Sequence, residues 1–125
     1  MSRIIFEENR NKYSEIEKQR SSLIKIIFRN EIIVPGSYSE TYIHCGCKTC
    51  HCQNEQVGHY ATRISIWDKG KLYTKIVKIA DREWVKRASD LYKENKKAMQ
   101  EVIKLQALEK EILKTAIDLK VEKYK

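Results

Sequence analysis

The sequence predicts an α+β protein in which a small antiparallel sheet is flanked by an amino-terminal helix and a long carboxy-terminal helix. Residues 1–30 and 81–125 carry apolar residues at helical spacing, whereas residues 31–80 contain alternating β-forming residues and turn signals. The 125 residues are 42% hydrophobic, with one proline and four glycines. This length and composition predict a single ordered domain made of those three parts.

The amino-terminal part predicts one amphipathic helix from about Arg3 to Phe28. Its apolar residues recur at three-, four- and seven-residue steps; they are Phe6, Tyr13, Ile16, Leu23 and Ile27. The helix ends in a strongly apolar stretch, residues 23–28. We expect this end to pack against another part of the protein or against a partner, because it is too hydrophobic to face water on all sides.

The middle part predicts a three-stranded antiparallel sheet. A Pro-Gly pair at residues 35 and 36 marks a turn, and residues 38–44 alternate like a short strand. Residues 59–67 and 72–79 are joined by the turn sequence DKGK and predict a hairpin. The connection between the first strand and this hairpin contains every cysteine of the chain.

The carboxy-terminal part predicts a long coiled-coil-like helix. It begins at Asp81, a residue type favoured at the N-cap, and contains neither proline nor glycine. Its apolar heptad positions are Trp84, Ala88, Leu91, Ala98, Val102, Leu105, Ile112, Ala116 and Leu119, with polar residues in the same seam at Asn95 and Glu109. A helix of this length, on the order of 60 Å, must bend back, pack against the first helix or pair with a second subunit. The polar seam residues favour a homodimer, since such residues commonly fix register and partner number.

The four cysteines lie in the segment HCGCKTCHC, residues 44–52. Structural zinc takes four Cys or His ligands in a tetrahedron, and Cys47 and Cys50 have the C-x-x-C spacing of a metal knuckle. The segment therefore predicts a zinc ion bound by all four, Cys45, Cys47, Cys50 and Cys52. The alternative fourth ligand is His59, which begins the next predicted strand.

The compartment in which we expect the protein supports the prediction that its cysteines bind a metal. No apolar run approaches the length that crosses a bilayer, and the amino terminus turns acidic before a signal-like stretch develops. We therefore expect a cytoplasmic protein, in which thiols bind metal more often than they form disulfides. Free thiols, two disulfides and an iron–sulfur cluster are the alternatives; reactive thiols this close together favour metal, because they would be hazardous without it.

The sequence predicts binding rather than catalysis. Hydrolytic zinc sites keep one coordination position open and place a carboxylate nearby as the general base. Neither H-E-x-x-H nor H-x-E paired with P-C-x-x-C is present, and Glu55, the nearest carboxylate after the cysteines, has no supporting motif. We therefore expect a structural zinc site and no enzyme activity.

The stretch PGSYSETYIHCGCKTCHC resembles the motif G-S-[apolar]-S-x-x-Y-x-x-C-G-x-x-x-C-x-C of a family of small prokaryotic proteins of uncharacterised function. The matching residues are Gly36, Ser37, Ser39, Tyr42, Cys45, Gly46, Cys50 and Cys52. Members continue with H-G-P-Y, a hairpin with a Gly-Lys turn and a long charged helix; this chain continues with VGHY and is similar over roughly residues 33–105. The resemblance implies Cys45, Cys50 and Cys52 as core ligands, with Cys47 or His59 replacing the histidine lost at Val57. It also implies an association with mobile elements.

Charge and aromatic residues predict a nucleic-acid partner, DNA rather than RNA. The formal net charge is +8, spread evenly over the three parts, and forms no basic tail. The hairpin places basic residues beside aromatic ones, a combination that contacts phosphates and stacks on bases. The predicted contacts are Arg63, Lys69, Lys71, Lys75, Lys78, Tyr60 and Tyr73, beside Trp67. The competing interpretation makes these aromatics the buried face of the sheet and the lysines its solvated face.

A protein adaptor is the alternative function. In that interpretation zinc stabilises a small subunit that docks onto a larger nucleic-acid enzyme, or onto a nucleoprotein complex, without touching nucleic acid itself. The apolar end of the first helix and the long carboxy-terminal helix would form the interface. The dependence of binding on ionic strength distinguishes the two functions. Phosphate binding weakens steeply as ionic strength rises, whereas binding through a hydrophobic helix interface hardly changes.

Overall fold

The computed structural model describes residues 3–44, 49 and 58–124. Its elements are α1 (Arg3–Ile27), β1 (Ser37–Ile43), β2 (His59–Asp68), β3 (Lys71–Ile76), a 3-10 turn (Ile79–Asp81) and α2 (Arg82–Asp118). This order confirms the predicted α+β class. The predicted zinc loop lies outside the described residues except at Thr49. No helix in the described ranges is long and apolar enough to cross a membrane.

Two compact units divide these elements. The helical unit comprises Met1–Asn30 and Glu94–Lys125, and the sheet unit comprises Glu31–Lys93. The long helix α2 contributes residues to both units, because it begins at Arg82 and ends at Asp118. The predicted metal ligands and nucleic-acid contacts all belong to the sheet unit.

The helical unit pairs α1 with the later part of α2 in antiparallel orientation. The side-chain amide of Asn9 donates to the carbonyl of Ile112 at 3.0 Å, and near the opposite end Arg29 contacts Glu94 at 3.3 Å. Ala98 and Val102 of the predicted seam are buried here. The seam of α2 therefore packs against α1 of the same chain, which is the second of the three predicted arrangements.

A polar residue of the seam also has its partner within the chain. Arg20 of α1 donates from Nε to Oε1 of Glu109 at 2.6 Å, and the Glu109 side chain is largely shielded from solvent. The apolar end of α1 behaves as predicted only in part. The side chains of Leu23 and Ile27 are half-buried, whereas Phe28 is exposed.

The sheet unit has the antiparallel order β1-β2-β3. Alternation puts Ile64 and Ile66 of β2 on one face, and there they pack with Val77 and with Val85 of α2. We call this the helix-covered face and the opposite one the outer face. Among the described residues the hydrophobic core of this unit is small: Ile64, Val77 and Val85 are buried, and Val34, Tyr38 and Ile66 are partly buried against them.

Two fully buried hydroxyl groups fix the sheet to its neighbours. Ser89 of α2 donates to the carbonyl of Gly36 at 2.7 Å and accepts from the backbone N–H of Tyr38 at 3.3 Å. Thr62 of β2 donates to the carbonyl of Val77 at 2.9 Å and accepts from Arg82 Nε at 3.1 Å. Each hydroxyl is satisfied as donor and acceptor, as burial of a polar group requires.

The predicted hairpin is confirmed, with a tight turn of two residues. Lys69 and Gly70 both have positive φ, 51° and 79°, and β2 pairs with β3 from Asp68↔Lys71 onward. Two successive left-handed residues match the twist of antiparallel strands, and glycine adopts such a φ without strain. This turn fixes which residues of the hairpin share a face.

Candidate metal loop and nucleic-acid surface

The two ends of the β1–β2 connection are held side by side. Ile43 and His59 are the last paired residues of these strands. Gly58 packs directly on the backbone, and a Cβ placed on it would overlap the carbonyl of Ile43 and lie 2.9 Å from the amide nitrogen of His44. Only glycine fits at this position. The chain thus leaves and re-enters the sheet at one point, so the two ends of the connecting segment, residues 45–57, which we call the loop, are adjacent.

All four predicted cysteine ligands belong to this loop. Cys45, Cys47, Cys50 and Cys52 lie outside the described residues. Within the described ranges, no group of three or more His, Cys, Asp or Glu side chains is placed to share a metal ion. A metal bound here would therefore need ligands from residues 45–57.

The alternative ligand His59 lies at the base of the loop. It is the first residue of β2, is half-buried, and faces Ile43 across the strand pair. Cys45 follows Ile43 by two residues in the sequence. His44, the exposed residue after β1, is the second histidine among the described residues at this end.

Next to the loop base lies a cluster of polar and aromatic side chains that the sequence analysis did not identify. The hydroxyl of Tyr38 donates to Oε1 of Glu40 at 3.2 Å. Hydrogen bonding from Tyr60, more than that from Tyr38, holds the pKa of the Glu40 carboxyl below its ordinary value, and the Lys86 ammonium and the Arg82 guanidinium act in the same direction. The carboxylate is therefore a shared acceptor between β1 and β2.

Arg82 connects this cluster to the start of α2. Its guanidinium carbon lies 5.0 Å from the ring centroid of Tyr60, within the range of a cation–π contact. Tyr42, which pairs with Tyr60 across the strands, makes an edge-to-face contact with the same ring at a centroid distance of 5.5 Å. One sequence signal could have found the cluster, because Tyr38, Glu40 and Tyr42 alternate along β1 and so share one face.

Glu40→Gln is expected to lower stability at neutral pH and to have little effect in acid. A carboxyl whose pKa is depressed by folding stabilises the native state above its unfolded pKa, and this stabilisation disappears as the pH falls through the folded value. Urea unfolding at pH 7 and at several lower pH values, to below about pH 4, measures this effect. The unfolding free energies of the parent and the variant should become equal as the pH falls. In a Tyr38→Phe background, which lacks one hydrogen-bond donor to Glu40, Glu40→Gln should cause a smaller loss of stability at neutral pH. If the difference in unfolding free energy between the parent and Glu40→Gln is the same at every pH, the Glu40 carboxylate is not the stabilising acceptor.

The predicted nucleic-acid contacts divide between the two faces of the hairpin. Strand register puts Arg63 on the outer face with Trp67. It puts a second set on the same face as Ile64, namely Tyr60, Lys71, Tyr73 and Lys75. Lys69 lies in the turn and Lys78 follows β3. The predicted residues therefore do not form one continuous face.

Their exposure separates them further. Every residue of β3 is exposed, and β3 lies at an edge of the sheet, so Lys71, Tyr73 and Lys75 are open to a partner. Tyr60 has one ring face covered by Arg82, so we expect Tyr73 rather than Tyr60 to stack on a base. The interpretation that the hairpin aromatics form the buried face of the sheet fails for Trp67, which is 72% exposed.

The outer face of the hairpin is apolar as well as exposed. Trp67 pairs across the strands with Leu72, and Arg63 pairs with Ile76. The side chains of Trp67, Leu72 and Ile76 are all accessible to solvent in the described structure. Exposed apolar residues on one sheet face mark an interaction surface more often than isolated ones do.

Comparison with models of known protein families, with curated proteins and with solved structures finds no match. The similarity of residues 36–52 to the prokaryotic family motif therefore stays an expectation. The functional argument rests on the closed loop and on the hairpin beside it.

Proposed function

We propose that this protein is a non-catalytic, zinc-binding accessory protein of the cytoplasm that binds nucleic acid, DNA rather than RNA. Zinc is bound by Cys45, Cys47, Cys50 and Cys52, with His59 as the alternative fourth ligand. The observation that carries the proposal is the closed base of the β1–β2 loop, formed by the Ile43↔His59 pair and by Gly58. An association with mobile elements follows from the family resemblance alone.

The donor set fits zinc. Four thiols within eight residues supply the soft ligands that zinc prefers. A loop whose ends are already adjacent loses less conformational freedom when it closes around an ion than an open chain does. Bound zinc would supply folding energy and charge compensation for the thiolates, and the loop would then present the hairpin in one orientation.

Exposed β3 supports the nucleic-acid surface. Lys71, Tyr73 and Lys75 are consecutive on one face of an edge strand, two ammonium groups with an aromatic ring between them. Lysines contact phosphates as point charges and an exposed ring stacks on any base, so this surface favours binding with little sequence preference. The net charge of +8 adds long-range attraction for a polyanion.

Salt-dependent binding of labelled DNA tests the surface. We expect affinity for single- or double-stranded DNA to fall steeply between 50 and 200 mM salt, as it does when several phosphates are neutralised. The double variant Lys71→Ala/Lys75→Ala should reduce the slope of log affinity against log salt by about 1 to 2. The matched control is Lys12→Ala/Lys18→Ala, which removes the same charge from the exposed surface of α1.

Equal losses in the two double variants would show that only net charge matters and would contradict a site on β3. Tighter binding to RNA of the same length would reverse the preference for DNA while leaving the surface in place. No measurable binding at low salt would overturn the nucleic-acid proposal altogether.

The adaptor function is the second candidate, and the outer face of the hairpin favours it. Trp67, Leu72 and Ile76 form an exposed apolar group suited to a protein surface. If a larger enzyme binds there, capture of that enzyme from the host should persist at high salt and be lost in Trp67→Ala. Nucleic acid should then be recovered only together with that enzyme.

A further inference from the structure

A second apolar stripe runs along α2, apart from the buried seam. It consists of Met99, Ile103, Leu113 and Ile117, whose side chains are between 49% and 59% exposed. With Gln106 and Lys110 between them, these positions follow alternating steps of four and three residues and so line one side of the helix. The buried seam, which includes Ala98 and Val102, contacts α1, so this stripe is an additional surface of the helical unit.

The order of residues in the stripe is self-complementary. From either end it reads apolar, apolar, polar, polar, apolar, apolar. We propose that a second copy of this chain covers the stripe, with the two α2 helices antiparallel and a two-fold axis near the level of Leu108.

In that register every layer is matched. Met99 lies opposite Ile117 of the second copy, and Ile103 lies opposite Leu113. Gln106 lies opposite Lys110, so that an amide oxygen can accept a hydrogen bond from an ammonium group. By symmetry each layer occurs twice, which is the pairing that antiparallel coiled coils make between their alternating core positions.

Other registers are worse. A parallel pair in register would place Lys110 against Lys110, two like charges in contact. A shift of the antiparallel pair by one heptad would place Gln106 or Lys110 against an apolar residue and leave a polar group without a partner. The two polar positions therefore select one arrangement, as buried polar residues do in other coiled coils.

This inference does not rest on zinc or on nucleic acid, because every residue it uses belongs to the helical unit. It also differs from a dimer built on the main heptad seam, which is occupied by α1. A homodimer would present two hairpin surfaces from one particle, and so raise the apparent affinity for a polymer with repeated binding sites.

Mass measurement of the full chain in reducing buffer tests the proposal. Sedimentation equilibrium at micromolar concentration should give twice the chain mass of 14.8 kDa. Ile103→Lys should weaken the dimer by on the order of thirtyfold or more, because it places a charge opposite Leu113 in the apolar layer next to the polar centre of the interface. Leu108→Lys is the control, since Leu108 is also about half exposed but points to the opposite side of α2.

The polar layer tests the register. Gln106→Glu places two carboxylates opposite two Lys110 side chains and should tighten the dimer several-fold, whereas Gln106→Lys should weaken it to a similar degree. A monomeric parent at 100 µM overturns the proposal. So does a dimer that Ile103→Lys leaves intact, or a dimer that responds in the same way to both Gln106 variants. Circular dichroism of each variant confirms that its helices remain folded.

Discussion

Cys50→Ser is expected to release the metal and to unfold much of residues 31–93. The buried apolar cluster found in this unit, Ile64, Val77 and Val85, is small, so a metal loop joining β1 to β2 would supply a large share of its stability. Structural zinc in small domains contributes about 10 kcal/mol or more of apparent binding energy, and loss of one thiolate removes a substantial part of it. We expect a fall of several kcal/mol in unfolding free energy, about 3 or more.

Metal content and thermal unfolding check this result together. The parent should bind one zinc ion per chain. Cys50→Ser should bind much less than one and should unfold at a lower temperature. Thr49→Ser is the matched control, because it changes a neighbouring residue of the same loop and keeps a hydroxyl. A Cys50→Ser variant that melts like the parent and retains its metal would show that the cysteines are not structural ligands.

The fourth ligand can be identified by the same two measurements. His59→Ala should reduce metal affinity if His59 coordinates, and His44→Ala, at the other end of the loop, serves as its control. If zinc is bound by the four cysteines alone, neither histidine variant should change the metal content. In that case His59 would act only as the first residue of β2.

Local patterns explain why the fold class could be predicted. The helical spacing of α1 and α2 and the DKGK turn are encoded within a few neighbouring residues, so they can be recognised without knowledge of tertiary contacts. The partner of the α2 seam could not be predicted in the same way. Glu109 pairs with Arg20, a residue distant in sequence, and a heptad pattern does not tell which helix will meet it.

The division of the predicted nucleic-acid contacts has a similar cause. The turn sequence DKGK predicted a chain reversal but did not indicate which residues of the two strands pair. In the structure the turn consists of Lys69 and Gly70 alone. Because a shift of one residue moves every side chain to the other face, the positions of Arg63 and Lys75 depended on this detail. Within the Glu40 cluster, the alternation along β1 could have indicated Tyr38 and Glu40, whereas Tyr60 joins them only through the β1–β2 register.

Val102→Asp is expected to disrupt the helical unit. Val102 is only 4% exposed and lies in the seam between α2 and α1, so a carboxylate at this position would be largely withdrawn from water. Burial of an unpaired charge is among the most destabilising single changes, so we expect a loss of about 3 kcal/mol or more in unfolding free energy.

Urea unfolding followed by circular dichroism at 222 nm measures this loss. Leu108→Asp introduces the same group on the same helix at a side chain that is 52% exposed, and it should cost less than about 1 kcal/mol. Hydrogen exchange should localise the effect of Val102→Asp to α1 and to the part of α2 that packs on it, because both depend on the shared seam. Similar unfolding energies for the two variants would contradict the seam between α1 and α2, and would instead point to an α2 helix that is stable without α1.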